Sequence, residues 1–291
     1  MSLTEAFSDG QIPGVSPGIY SDVDFRTIAR LLHGQAGIVL PKGKATLVYS
    51  RIAPLVRQSN CGTFGEYLKL IAASPVETKR VIDALTTNHT FFYREAHHFS
   101  HLAETARPAL LDKLNRGDPV RIWSAGCSSG EETWSLIVTL LGEDTAEGRR
   151  MTKRDLRVLA SDLAAHVLRK AEAGDYGAVE VKDVPPVLRR NWLRDSGDAV
   201  SVSPEARSIV RFRELNLLGD WPMQQPFDVI FCRNVMIYFD LPTKERLVAR
   251  FAAQLQPGGY LYIGHSERVT GPAAALLEPV GPTIYRKRSG S

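Results

Sequence analysis

The feature that most constrains this chain is a change of hydrophobic period at Val120. Before it, apolar residues recur at helical spacing; after it, short apolar runs alternate with longer amphipathic stretches. Strands are predicted at Arg121–Ser124, Leu156–Ala160, Phe227–Cys232 and Gly259–Ile263, with helices at Glu131–Leu141, Leu163–Ala173 and Pro242–Leu255. Such alternation demands a largely parallel sheet with helices on both faces, an α/β fold. The rhythm breaks between Gly174 and Leu215. There Trp192-Leu193, Ala199–Val202 and Ile209–Phe212 read as short strands around an Asp195–Asp198 turn, predicting a small antiparallel β insertion over about 175–215.

The first part of the chain reads as an all-α domain. Asp22–Phe25 can cap a helix with Phe25, Ile28, Leu31 and Leu32 inward. A second helix, from about Lys44 to Gln58, turns Leu47, Val48, Ile52 and Leu55 to the core and exposes Lys44, Arg51 and Arg57. Thr63 caps a third helix through Ala73, and Pro75 sits in the first turn of a fourth that ends near Leu85. The expected division is a helical domain over 20–87, a linker and helix over 88–116, and an α/β domain over 117–291.

With 44% hydrophobic and 23% charged residues, the composition is that of an ordinary globular protein. No run of eighteen apolar residues is present, so no membrane span is expected. The first ten residues lack a basic start and an apolar core, so no secretory signal is expected. Three scattered cysteines, Cys61, Cys127 and Cys232, point to a reducing compartment and to neither disulfides nor a cysteine zinc site. A cytoplasmic protein is expected. Net charge is only +4, yet Arg26, Arg30, Lys42, Lys44, Arg51 and Arg57 fall in a stretch between Asp24 and Glu66 that has no acidic residue. This stretch is either a solvated face or a docking surface for an anionic partner, and without aromatic interleaving it suits an acidic protein better than nucleic acid.

The chemistry concentrates after the strands. The loop Ser124-Ala-Gly-Cys-Ser-Ser-Gly-Glu-Glu132 is a strand-to-helix turn whose small residues let a ligand approach the backbone. It is not G-x-G-x-x-G, and Glu131 and Glu132 would repel a pyrophosphate; they suit an ammonium group, or else complement the helix dipole. Asp162, at the end of the second strand, is either a ribose ligand or a helix N-cap. The apolar strand Phe227–Cys232 breaks into Arg233-Asn234 with Tyr238 just beyond, where an open α/β sheet binds ligands. A ligand with a ribose and an amino-acid end but no phosphate is S-adenosylmethionine.

These motifs resemble the CheR-type chemotaxis methyltransferases, protein-glutamate O-methyltransferases of bacterial chemoreceptors. The segment T-N-H-T-F-F-Y-R-E-A-H-H-F (87–99), the S-A-G-C-S-S-G-E-E loop, A-S-D (160–162), N-L-L (216–218), F-C-R-N-V-M-I-Y-F-D (231–240) and G-H-S-E (264–267) occur in the family's order, and the likeness spans residues 20–287. The resemblance implies a Rossmann-like methyltransferase domain that uses S-adenosylmethionine and releases S-adenosylhomocysteine. It further implies that Asn88, Thr90, Arg94, Gly126, Glu131, Glu132, Asp162, Asn216, Leu217, Cys232, Arg233 and Asn234 line the cofactor, Glu132 being favoured over Glu131 for its methionine end. Arg94 and Tyr238 should border the point of transfer.

A carboxylate nucleophile is already ionised at neutral pH, so no general base is required. His97 and His101 have helical metal-ligand spacing, but no metal is expected. The basic residues Arg26, Arg30, Lys44, Arg51 and Arg57 become candidates for docking glutamate-rich receptor helices. The family's receptor-tethered members carry a longer hairpin loop that docks a receptor C-terminal peptide; here only Arg194–Val200 is available, which implies peptide independence. A monomer that binds no nucleic acid and does not insert into the membrane is expected. The rival readings are an adenine methyltransferase, for which Asn234–Tyr238 is a poor N-P-P-Y match, and a cofactor-binding sensor without turnover.

Overall fold

The computed structural model describes residues 15–290 apart from position 17, so the reading of the first ten residues lies outside the described residues. Contacts divide the chain into two units: the described residues up to Thr87 with Tyr238–Asp240, and Asn88–Ile237 with the chain from Leu241 onward.

The first unit is four helices, α1 (Asp22–Ala36), α2 (Ala45–Gln58), α3 (Phe64–Ala73) and α4 (Pro75–Leu85). The N-cap of α1 is Ser21 rather than a residue of the Asp22–Phe25 run, with Asp24 accepting from the Ser21 amide at 2.8 Å to complete a capping box. Thr63 and Glu66 form the same box on α3, and Ser74 caps α4 ahead of Pro75. Phe25, Ile28, Leu32, Val48, Ile52, Phe64 and Tyr67 make the core, while Leu31, Leu47 and Leu55 are only half-buried. Residues 238–240 join this unit through the Ile38–Phe239 bridge, a Val39 N–H to Tyr238 carbonyl bond of 2.8 Å, and His33 against Asp240 at 3.1 Å.

The second unit begins with α5 (His97–His101), a π turn (Leu102–Ala106) and α6 (Arg107–Asn115), followed by β1 (Val120–Ala125), α7 (Glu131–Leu141), α8 (Thr145–Thr152), β2 (Leu156–Asp162) and α9 (Ala165–Ala173). Then come β3 (Asp175–Gly177), α10 (Pro186–Trp192), β4 (Leu193–Ser196), β5 (Ala199–Val202), α11 (Pro204–Ser208) and β6 (Val210–Glu214). The chain closes with β7 (Phe227–Cys232), α12 (Leu241–Gln254), β8 (Leu255–Ile263), β9 (Leu277–Gly281) and β10 (Ile284–Lys287).

The large sheet has the order β6-β2-β1-β7-β8-β10-β9, parallel from β6 to β8 and antiparallel beyond. From β1 the chain winds outward to β2 and β6, then returns to place β7 on the other side of β1. The switch point therefore lies between β1 and β7, and ligands of such sheets bind beyond the carboxyl ends there. All six residues of β7 are buried, as expected of a central strand covered on both faces.

The predicted antiparallel insertion exists, but as β3-β5-β4. The segment read as its third strand, Ile209–Phe212, is instead β6, which pairs in parallel with β2 from Val158↔Val210 to Asp162↔Glu214. Val210 and Phe212 alternate inward on the large sheet, and that face, rather than the insertion, claims them. Trp192 is the buried end of α10, its indole N–H donating to Gly142 O at 2.7 Å.

Candidate active site

The loop after β1 is shaped by backbone that few residues adopt. Gly126 and Gly130 have φ of 79° and 96°, and Ser128 follows at 49°. A Cβ on Gly126 would lie 2.3 Å from Val235 Cγ2, and one on Gly130 2.8 Å from Ala171 Cβ. Gly126 and Cys127 donate their amides to Ser161 O at 2.7 and 2.9 Å, which ties the loop to the end of β2. The Ser128 hydroxyl donates to Asn88 O at 2.8 Å, bringing the start of the 88–99 segment to the same loop.

Glu131 and Glu132 open α7 and are both buried. Glu131 accepts from the Ser129 hydroxyl at 2.7 Å, faces Lys170 at 3.8 Å, and is raised by burial. Glu132 Oε2 lies 3.3 Å from Arg233 Nη1. Burial pushes its carboxyl up to about 7, against the pull of Arg233 and with Glu95 and Glu267 adding repulsion.

Asp162 is not the N-cap of α9, which is Ala164 without a side-chain bond. Its carboxylate accepts from Ser128 N at 2.8 Å and Ala164 N at 3.0 Å, and burial raises it. Its carbonyl accepts from Leu215 N at 2.9 Å, drawing the exit of β6 alongside. Asn216 and Leu217 follow directly: Asn216 Oδ1 accepts from Leu218 N at 3.0 Å, and Leu217 is buried, its carbonyl held by Trp221 and Arg250.

Beyond β7, Cys232 is buried, its thiol pushed up by that burial. Arg233 is buried as well; its guanidinium donates to Arg94 O and pairs with both Glu132 and Glu95. Asn234 takes φ 59°, its side chain donating to Glu95 Oε1 at 3.3 Å and its amide to Glu267 Oε2 at 3.1 Å. Gly264 must be glycine, since a Cβ there would lie 2.4 Å from Asn234 Nδ2. Thr90 and Arg94 are half-buried on the 88–99 segment, with Arg94 Nη1 donating to His89 O at 3.2 Å and its guanidinium over the Phe91 ring. Tyr238 clusters with the helical unit.

Two carboxylates that the sequence reading gave no role are central. Glu95 Oε1 accepts from the His265 amide at 3.2 Å and its ring Nδ1 at 2.9 Å. Burial alone would raise it; Arg233, then His265 and Asn234, hold it instead at about 2. Glu267 accepts from Gly264 N at 2.5 Å, Asn234 N at 3.1 Å and Ile237 N at 3.2 Å, stapling the exits of β7 and β8 together. Both stand inside quoted motifs; for Glu267 the available signal was an acidic residue just past the apolar strand β8, while Glu95, ahead of α5, offered only its place in the motif.

Arg51 is not exposed. Its guanidinium donates to Leu85 O at 3.1 Å and Thr86 O at 2.9 Å, because the last carbonyls of α4 have no intrahelical partner. Arg26 pairs with Asp22 at 3.1 Å and Arg30 donates to Thr27 at 3.3 Å, while Lys44 and Arg57 are exposed. The histidines are occupied: His97 with Pro282 O at 3.1 Å, His98 with the Thr283 hydroxyl at 2.9 Å, His101 with the Tyr262 hydroxyl at 2.8 Å. Among the described residues no group of three or more His, Cys, Asp or Glu is placed to hold a metal.

The exits of β1, β2, β6 and β7 thus gather Glu132 and Asp162, both buried, around small-residue loops at the switch point. Two buried carboxylates at these strand exits fit a ligand with an ammonium group and a ribose diol.

The family model described as "CheR methyltransferase, all-alpha domain" matches residues 23–86, and "CheR methyltransferase, SAM binding domain" matches 88–283. The chain is 44% identical over 254 residues to the chemotaxis protein methyltransferase of Klebsiella aerogenes, covering 85% of this chain and 83% of that one. The Escherichia coli K12 protein of the same description is 42% identical over 255 residues, with 85% of each covered. A probable chemotaxis protein methyltransferase of Rhizobium etli is 39% identical over 262 residues, 88% of this chain and 96% of that one.

Proposed function

The chain belongs to the CheR methyltransferases and is an S-adenosylmethionine-dependent methyltransferase of chemotaxis; from that premise we propose that it esterifies glutamate side chains of chemoreceptor cytoplasmic helices. The buried carboxylates Glu132 and Asp162 at the carboxyl edge of the sheet support the cofactor site, and the likeness to chemotaxis methyltransferases supports the receptor as acceptor.

When bound, S-adenosylmethionine supplies a methyl group on a sulfonium sulfur, transferable by in-line displacement. Glu132 holds the ammonium of its methionine end, with Glu131 behind it, and Asp162 accepts from the ribose hydroxyls. Asn216 and Leu217 flank the adenine. Gly126 would admit the cofactor to the backbone, and Cys232, Arg233, Asn234, Asn88 and Thr90 would line its site. The acceptor glutamate arrives ionised and needs no base, which leaves orientation and exclusion of water as the protein's contribution. Arg94 orients the acceptor carboxylate; its held backbone carbonyl and its seat over Phe91 support that role. Tyr238 shapes the methyl channel.

Arg30, Lys44 and Arg57, with Arg26, attract glutamate-rich helices, and Arg51 contributes by fixing the end of α4 beside them. The β4–β5 hairpin turns through only Gly197 and Asp198, too short for a peptide-docking loop, which supports independence from the receptor's C-terminal peptide. The protein acts in the cytoplasm as a monomer, without nucleic acid. No helix of the described residues is long and apolar enough to cross a membrane.

The test is incubation with methyl-labelled cofactor and either receptor cytoplasmic fragments or DNA. Base-labile label on receptor glutamates is expected. Label on adenine, or cofactor binding with no transfer to any receptor fragment, would overturn the reading.

A further inference from the structure

We propose that Glu95 is a positioning residue of this site: it shares the single guanidinium of Arg233 with Glu132 and thereby governs how firmly Glu132 can hold a cationic group. The inference rests on the reading that Glu132 receives the cofactor's ammonium.

The geometry is one buried cation between two carboxylates. Arg233 Nη1 lies 3.3 Å from Glu132 Oε2, and Arg233 Nη2 lies 3.3 Å from Glu95 Oε2. Neither Nη1 nor Nε of Arg233 makes a well-formed hydrogen bond, so the guanidinium is not saturated by Glu132. Glu95 is itself fixed from two further elements, by Asn234 after β7 and by His265 after β8, and its own backbone takes φ 57°. A non-glycine residue in that region is retained where its surroundings over-determine it.

The group that bears the consequence is Glu132. Facing it are Arg233 from the β7 exit, Glu95 and Arg94 from the 88–99 segment, and Glu267 from the β8 exit, with the Ser124 hydroxyl at 3.5 Å. Facing Glu95 are Arg233, His265 and the buried His98, whose Nδ1 is 3.6 Å from Glu95 Oε2. Once Glu132 ionises, the cluster Glu132–Arg233–Glu95 carries one positive and two negative charges out of water. Removing the charge of Glu95 frees Arg233 for Glu132, so that Glu132 ionises more readily and leaves less negative field for a bound ammonium.

Two measurements on Glu95→Gln test this. The carboxyl of Glu132, assigned by its loss in Glu132→Gln, is titrated by ¹³C NMR in the cofactor-free protein. S-adenosylhomocysteine affinity is measured by calorimetry over the same pH range. The Glu132 midpoint should fall by about one unit, and affinity at high pH should weaken by up to about tenfold, since proton and ammonium meet the same field. The KM for cofactor should rise with little change in kcat.

A merely structural role would lower Tm and leave the Glu132 midpoint in place. If Glu95→Gln does not fold, Glu95→Asp, which carries the charge on a shorter arm, should move the midpoint in the same direction by less. An unmoved midpoint in the variant that folds overturns the role of Glu95 whatever binding does. A midpoint that moves while affinity stays unchanged at every pH overturns the seating of the ammonium at Glu132 instead.

Discussion

Tyr93, Glu95, Ser128 and Asn234 all take φ between 49° and 59°, and all four lie in the loops that converge on the sheet's carboxyl edge. Backbone held this way costs about 1–3 kcal/mol per residue and persists where packing enforces it. Gly126 is the sharpest case. Gly126→Ala combines positive φ with a clash against Val235 and should destabilise by about 2–4 kcal/mol, read by urea denaturation. Adding Val235→Ala should recover only the steric part. Glu132 invites a prediction of opposite sign. Its carboxyl is raised from 4.5 to about 7 in the fold, so the folded protein binds the extra proton, and stability is lost as pH rises from 4.5 through about 7. Glu132→Gln should therefore be more stable than its parent at pH 8 by about 1–3 kcal/mol, with the gain vanishing below pH 4.5. Thermal melts across that range check it. Glu95 and Glu267 escaped the sequence reading because what makes them matter is distant: Glu95 meets Asn234 across 139 residues, and Glu267 meets it across 33.

Among the elements, those with local punctuation were legible and those defined by distant pairing were not. Thr63 with Glu66, and Ser74 with Pro75, announce α3 and α4 at the residue where each begins. For β6, the alternation of Val210 and Phe212 reveals a strand but cannot say that β2, some fifty residues earlier, is its neighbour. Arg51 shows the same limit, since its charge was legible and its partners on α4 were not. Arg51→Ala should fray the end of α4 and cost about 1 kcal/mol, seen as faster amide exchange at residues 83–87. Arg57→Glu tests docking more cleanly, because the side chain is exposed. It should raise KM for receptor severalfold, most at low salt, with S-adenosylhomocysteine affinity unchanged. Loss of cofactor affinity would mean the face is structural. Titration with a receptor C-terminal pentapeptide should show no binding at the β4–β5 hairpin, and tight binding would refute peptide independence.

At the scale of the whole molecule, the strand order makes one place suited to a ligand, and the chain invests its buried acids there. The alternation after Val120 was enough to foresee a parallel sheet, and the exits of its strands were enough to nominate the Glu131-Glu132 pair, Asp162 and Arg233; Asn216, and the preference for Glu132, came only with the family resemblance. Composition and periodicity carry no information on strand order, which emerges only when β7 and β8 return to the side of β1 opposite β2. That return sets the exit of β7 against the Gly126 loop, and Val235 against Gly126 is its local signature. This edge, with Glu132 and Asp162 as its anchors, is the proposed cofactor site. Calorimetric titration of S-adenosylhomocysteine tests it most directly. Binding to the parent protein is expected to weaken as pH falls through about 7, with a loss of at least tenfold in both Glu132→Gln and Asp162→Asn. Affinity in those two folded variants equal to the parent's, at every pH, would contradict it.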